Sequence, residues 1–306
     1  MKKLKFVCLA LTIILFALGF FARYFTVSFK EDGEISIYTS CYPLYAFTSL
    51  IVEGAPDLSV NILSQPQING YEAYYLSDWE EAILDNASAF VVFGDGFEAY
   101  STGLGLDNTI IINALSGLEI LDYEESDIQV LEMQDDAISV NPYLYMSCTG
   151  AIDICEAICA NMCTIDEDYS YIYLNNLNAA YDKLSELELL CEEFSAKEGI
   201  RVAVGQPAFY YALRDLGIRA DAIILRSFGK TSEDIDTYIS MLIDGGITHI
   251  IVENECPDEL VSALENAEIR VIKLDNMLLY TEIWGSEAYF EAYTSNFYKL
   301  CEELGT

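Results

Sequence analysis

The chain has 306 residues, 53% of them apolar, which is material for two folded cores of ordinary domain size, so a disordered chain is excluded. Acidic residues outnumber basic ones 50 to 15 and the formal charge is −35, which sets the surface against phosphate backbones and anionic headgroups and excludes nucleic acid as a partner. The charge reads first as solubility outside the cell and second as attraction for a cationic ligand.

The first residues have the form of an export signal: Lys2, Lys3 and Lys5 stand around the start of an uncharged apolar run from Phe6 to Ala22. At about 17 residues this run is long for a signal peptide and short for a membrane span. Ala17-Leu18-Gly19 is a mediocre cleavage site, and no cysteine stands just after the run, the next one being Cys41. Residues 1–30 are therefore expected to be a signal peptide or signal anchor. The uncleaved anchor is preferred, placing the protein outside the cytoplasm with the membrane touched through this segment only.

Downstream, Glu34 to Thr39, Leu58 to Leu63, Ala89 to Phe93 and Thr109 to Asn113 are short β-rich runs that read as buried strands. Helical patterns lie between them. Pro43 to Val52 starts on proline and closes at Gly54, and Ser77 caps Asp78 to Asn86, with Glu80 at capping-box spacing. Such alternation argues for a parallel sheet with helices on both faces. The pattern then breaks at an acidic stretch, Gly117 to Asp136, which reads as a loop.

Asn141-Pro142 opens a new segment, followed by a helix to about Cys163 that carries Cys155, Cys159 and Cys163 on one face. Three thiolates can in principle serve a metal, but no CxxC or paired histidine accompanies them, so they read as small buried residues. The nine cysteines form an odd set that pairs badly, in a chain too large to require disulfides. From Asp166 to Ala196, Leu174, Leu177, Tyr181, Leu184, Leu187, Cys191 and Phe194 recur at helical spacing without Pro or Gly, predicting one amphipathic helix about 45 Å long.

A second alternating block follows, with strands Arg201 to Val204, Ala222 to Leu225, His249 to Glu253 and Arg270 to Leu274. Helices are expected at Pro207 to Leu216, Ser232 to Asp244, Pro257 to Asn266 and Ser286 to Glu303. The expected fold is α/β: two Rossmann-like lobes, residues 34–163 and 199–306, joined by one long backbone helix over 164–198, with the ligand cleft between the lobes. A single helical connection suits a rigid clamp that closes only slightly on its ligand.

Particular residues in this framework resemble a family, the zinc and manganese substrate-binding proteins of ABC transporters. Thr39-Ser40-Cys41-Tyr42-Pro43-Leu44-Tyr45 is similar to that family's opening Thr-Ser-Phe-Tyr-Pro-Leu-Tyr. Gln65 to Glu72 resembles its loop ending His-Asp-Tyr-Glu, and Phe93-Gly94-Asp95-Gly96-Phe97-Glu98 resembles Asn-Gly-Ala-Gly-Leu-Glu. Asn141-Pro142-Tyr143 resembles Asp-Pro-His, Gly205-Gln206-Pro207-Ala208-Phe209 resembles the His-Asp-Ala-Phe turn, and Ile251 to Glu255 resembles a later strand end. The order, spacing and helix placement agree over nearly the whole exported part.

What the resemblance implies is an extracytoplasmic solute-binding protein that takes a divalent metal ion between its lobes and delivers it to an ABC permease, working as a monomer. The family's three histidines and one carboxylate fall on Asn69, Tyr143, Gln206 and Asp275, of which only Asp275 keeps its type. Oxygen donors alone suit Mn, Ca or Mg better than zinc, which favours imidazole and thiolate. Glu72, Asp95, Glu98, Glu253 and Glu255 lie at or after strand ends, where ligands sit in open α/β sheets; each either adds charge to the cleft or bonds loop amides. Tyr42, Tyr71, Tyr143 and Tyr145 gather there on the family pattern, so a degenerate relative holding an organic cation, another non-metal ligand or a protein partner is the alternative.

The single histidine, His249, precedes an apolar strand and reads as structural. The acidic loop stands where zinc-scavenging relatives carry histidines, and holds none. No HExxH, GxSxG or P-loop is present, and no second histidine exists to complete a triad, so no enzyme is expected. A carboxylate-pair hydrolase is the remaining outside reading, with nothing to place two carboxylates at a set separation.

Overall fold

Among the described residues, nine parallel strands are sorted into two sheets by where their apolar runs find partners. The computed structural model describes residues 34–63, 76–94, 97–101, 103–123, 128–131, 140–224, 232–278 and 286–305. The expected segment 1–30 lies outside them. The first sheet has the order β2-β1-β3-β4, from Ile35–Thr39 (β1), Leu58–Ile62 (β2), Ala89–Val92 (β3) and Ile110–Asn113 (β4). The second has the order β5-β7-β6-β8-β9, from Gln129–Leu131 (β5), Val202–Val204 (β6), Ala220–Ile224 (β7), His249–Glu253 (β8) and Arg270–Leu274 (β9). These are the two α/β lobes that the alternating pattern predicts.

Strands β3, β6 and the middle of β8 are buried on both faces, which is why they read as unbroken apolar runs. Ala89 and Val91 point into one core while Phe90 and Val92 point into another, as the two-residue period of a strand requires. Ile251 and Ile250 divide in the same way. The larger core is shared by both sheets. It is filled by Tyr42–Val52 (α1), in which nine of eleven residues are buried, and by Cys148–Ile165 (α3), Ser170–Glu192 (α4) and Ser286–Leu304 (α8). Phe47 of α1 meets Tyr289 of α8 edge to face at 4.6 Å, joining chain segments far apart in sequence. On the outer face of the second sheet, Tyr238 and Leu242 of Ser232–Asp244 (α6) and Leu260 and Leu264 of Asp258–Asn266 (α7) close a separate cluster.

Ser77 caps Asp78–Leu84 (α2) through a complete capping box with Glu80, as its spacing predicts. Three expectations are corrected. The acidic stretch is not all loop: Gln129–Leu131 is β5, paired with β7, so a strand from before the long helix completes the second sheet. Strand β4 is not a buried run. It forms the edge of its sheet, and Ile110 and Ile111 stand 47% and 38% exposed.

The long helix is also shorter than periodicity suggests, 23 residues or about 35 Å. At its start, Asp166 leaves helical geometry and its carboxylate accepts from Tyr173 Oη at 2.6 Å, so a one-turn 3-10 helix, Glu167–Tyr169, turns the corner out of α3. Past its end, Ala196 pairs with Gly305 and Lys197 N donates to Leu304 O, which draws the chain away to meet α8. The buried stripe is Tyr173, Ala180, Leu184, Leu187 and Cys191, while Leu174 is 51% exposed.

Cys155 and Cys159 are buried on the packed face of α3, with burial pushing both thiols up, that of Cys159 to about 12. Among the described residues, no three His, Cys, Asp or Glu side chains come together as a metal group.

Candidate functional site

The carboxyl ends of the strands and the loop before α3 converge through hydrogen bonds that cross from one half of the chain to the other. Asn141 anchors that loop. Fully buried, it donates from Nδ2 to Pro207 O at 2.9 Å, accepts Tyr143 N on Oδ1 at 3.1 Å, and its carbonyl accepts Tyr211 Oη at 2.8 Å. Pro207 directly follows Gln206, so Asn141 fixes the loop of Tyr143 beside the end of β6. Two residues further on, Tyr145 Oη donates to Asn276 O at 2.8 Å, and Tyr145 O accepts from Tyr289 Oη. That bond ties the same loop to the residue after Asp275. Structure thereby gathers the loops of Tyr143, Gln206 and Asp275, and leaves all three side chains half-buried.

Asp275 is held by its backbone. Its N–H donates to Asn296 Oδ1 at 2.9 Å and its carbonyl accepts Asn296 Nδ2 at 2.7 Å, while its own Oδ1 accepts Met277 N at 2.8 Å. Met277 adopts φ 56°, so the chain reverses directly behind the carboxylate. Glu253 ends β8 one strand away. Asn276 Nδ2 donates to its Oε2 at 2.8 Å and Gln206 also bonds its carboxylate, while burial, and next the charge of Glu255, raise its affinity for a proton. Gln206, Glu253 and Asn276 form one polar network at adjacent strand ends.

Behind Tyr143 the packing is aromatic, with Phe93, Phe97 and Tyr145 buried. Tyr143 meets Phe97 edge to face at 5.3 Å and Tyr145 at 6.2 Å, and Phe93 stacks on Tyr145 at 5.4 Å. Glu98, for which the sequence allows either a cleft charge or bonding to loop amides, is wholly buried beside these rings, where Ser40 Oγ, Phe93 N and Gly94 N donate to it. Its neighbourhood is the loop-amide arrangement, because a buried carboxylate needs donors that solvent cannot supply. Asn69, Glu72 and Asp95 lie outside the described residues. Asn276 and Asn296, which orient the Asp275 turn, carry no local sequence signal, since each works through a partner remote in sequence or through the turn itself.

His249 sits at the amino end of β8, about 13 Å of strand from the cleft end. Its Nδ1 bonds Thr248 Oγ1 at 2.8 Å, and burial, with Arg270 nearby, lowers its proton affinity.

Two parallel α/β lobes with a cleft built from strand ends and one cross-linked loop define the class as a two-lobed solute-binding protein. The sequence matches the family model of ZnuA, the periplasmic zinc-uptake complex component A, over residues 37–302, and the chain belongs to this family, which consists of substrate-binding proteins and not enzymes. The high-affinity zinc uptake system protein ZnuA of Bacillus subtilis is 22% identical over 197 residues, covering 62% of this chain; the match spans 61% of that relative. Among solved structures, the SBP FpvC from Pseudomonas aeruginosa in complex with Mn2+ is 18% identical with a TM-score of 0.72, over 88% of this chain and 97% of that one. The Zn(II)-bound ZnuA-like domain of Streptococcus pneumoniae AdcA is 22% identical with a TM-score of 0.71, over 88% and 98%. These structures share the two-lobed fold.

Proposed function

We propose that this chain is the extracytoplasmic binding component of an ABC uptake transporter of the zinc and manganese type, taking a divalent cation between its lobes and handing it to the permease. The observation that carries the reading is the pair of cross-links, Asn141 to Pro207 and Tyr145 to Asn276, that bring the loops of Tyr143, Gln206 and Asp275 together. Asn69 is the proposed fourth donor. A phenol, two carboxamides and one carboxylate are oxygen ligands, which fit a hard cation such as Mn2+, Ca2+ or Mg2+ and fit zinc poorly. Glu253, beside Gln206, adds a second negative charge to the cleft wall. In this reading the first lobe lies within residues 34–163, residues 199–306 with β5 form the second, 164–198 are the connection and 1–30 the membrane anchor of a monomer.

Calorimetric titration with Mn2+, Ca2+ and Zn2+ tests the proposal. Mn2+ or Ca2+ is expected to bind more tightly than Zn2+, and Asp275→Ala to weaken binding at least about tenfold, or about 1.4 kcal/mol. Equal affinity in the variant removes Asp275 from the site. One observation favours a second reading, an organic cation held by the same cleft: the half-buried ring of Tyr143 is backed edge to face by Phe97 and Tyr145. Absence of bound metal on elemental analysis, with no heat from any of the three ions, would select it.

A further inference from the structure

Glu98 has no part in the proposed ligand set, yet it is a carboxylate with no exposure to solvent. Burial of such a group is costly unless its oxygens are filled, and here three donors fill them. Ser40 Oγ, just past β1, and Phe93 N, just past β3, reach Oε1, the latter at 3.2 Å; Gly94 N reaches Oε2 at 2.9 Å. One side chain therefore fastens the ends of two neighbouring strands.

The main chain around it is equally constrained. Gly94 has φ +107°, and a Cβ there would collide with the Asn113 carboxamide, so the chain runs against the end of β4 as well. Phe97 N and Glu98 N both donate to Gly94 O, at 2.8 and 2.9 Å, and Ser101 Oγ donates to Glu98 O at 2.7 Å. These bonds set Phe97, whose ring lies 5.1 Å from Phe93 and 5.3 Å from Tyr143. A continuous chain of contacts runs from Glu98 through Phe97 to Tyr143.

We infer that Glu98 is a positioning residue of the binding cleft, its carboxylate fixing the ends of β1 and β3 and thereby seating the Phe93 and Phe97 rings against Tyr143 and Tyr145. The inference deepens the proposed function, because Tyr143, the half-buried member of that cluster, is one of the proposed donors. It also makes the cleft respond to pH. Burial pushes the Glu98 carboxyl up to about 7 against the opposing pull of its three donors. Among the described residues the titratable group beside it is Cys41, whose thiol burial holds protonated. Protonation removes the charge that draws two backbone N–H groups together, and only the Ser40 hydroxyl can rotate to accept in return.

The test uses the full-length chain with 3-fluorotyrosine, the Tyr143 signal being assigned by Tyr143→Phe, and follows 19F shifts from pH 5 to 9. In wild type the Tyr143 signal is expected to titrate with a midpoint near pH 7, and in Glu98→Gln to be pH-independent there, because the amide keeps the shape but sets an N–H against a backbone N–H. Thermal melting without any ligand gives a second readout. A folded-state carboxyl held above its unfolded value binds its proton more tightly when folded, so wild-type stability falls as pH rises from the ordinary carboxylate range to about 7. Glu98→Gln is expected to flatten that slope. A Tyr143 signal that ignores pH in wild type overturns the inference even if the variant fails to fold, and so does an unchanged melting slope in a folded variant. Mn2+ titration at pH 8 is then expected to show about tenfold weaker binding by Glu98→Gln. Failure of wild type to bind Mn2+ counts against the metal reading alone, since the first two readouts contain no metal.

Discussion

Asn141 holds the loop before α3 in place, because its side chain and both of its backbone polar groups are spent on Leu121, Tyr143, Pro207 and Tyr211. Replacing it by alanine leaves Pro207 O and Tyr143 N without their bonds in a buried setting, and each such orphan costs about 1–3 kcal/mol. Asn141→Ala is therefore expected to lower stability by about 2–4 kcal/mol in urea unfolding and to weaken cation binding, with Tyr143 released from Gln206. The sequence marks this position as a residue before proline and the start of the Asn141-Pro142-Tyr143 run, neither of which names its partners. Its bond to Pro207 spans 66 residues, and no local rule reaches that far. Glu98 shows the complementary difficulty. A glutamate after a strand has the same sequence signal whether it faces the cleft or turns inward, and the donors that decide the matter come from Ser40, Phe93 and Gly94.

At the scale of elements, periodicity places the helices well and ranks their residues less well. Leu174 and Leu184 contribute equally to the apolar pattern of α4, yet Leu184 is fully buried and Leu174 is half in solvent. Leu184→Ala is expected to cost about 2–5 kcal/mol, the range for truncating a packed leucine, whereas Leu174→Ala should stay within about 0.5 kcal/mol, as chemical denaturation of the two variants will show. The difference arises at Asp166, where the chain leaves α3 and Tyr173, not Leu174, becomes the first buried residue of the stripe. Strand β5 was illegible for a related reason. Three residues in an acidic stretch have no period of their own, and Gln129–Leu131 becomes a strand because β7 offers it an edge.

For the molecule as a whole, charge and core pull in opposite directions. A formal charge of −35 repels itself, and the described ion pairs are mostly at exposed side chains, where each contributes little. Raising salt from about 0.01 M to about 0.15 M shortens the screening length from about 30 Å to about 8 Å. The urea midpoint is expected to rise over that interval with an unchanged slope; a midpoint that falls would mean that the surface pairs outweigh the repulsion. What opposes the repulsion is the shared core, in which α1, α3, α4 and α8 seal both sheets. The sequence by itself determined the α/β class, the strands other than β5 and the helices to within a few residues, and the absence of familiar catalytic motifs, because these depend on local periodicity and residue chemistry. Only the tertiary structure decided that Asn141 and Tyr145 bind the two halves of the cleft together, that Glu98 turns inward, and that β5 crosses to the second sheet, because each rests on a hydrogen bond or strand edge supplied by residues distant in the chain or by the way a turn is folded.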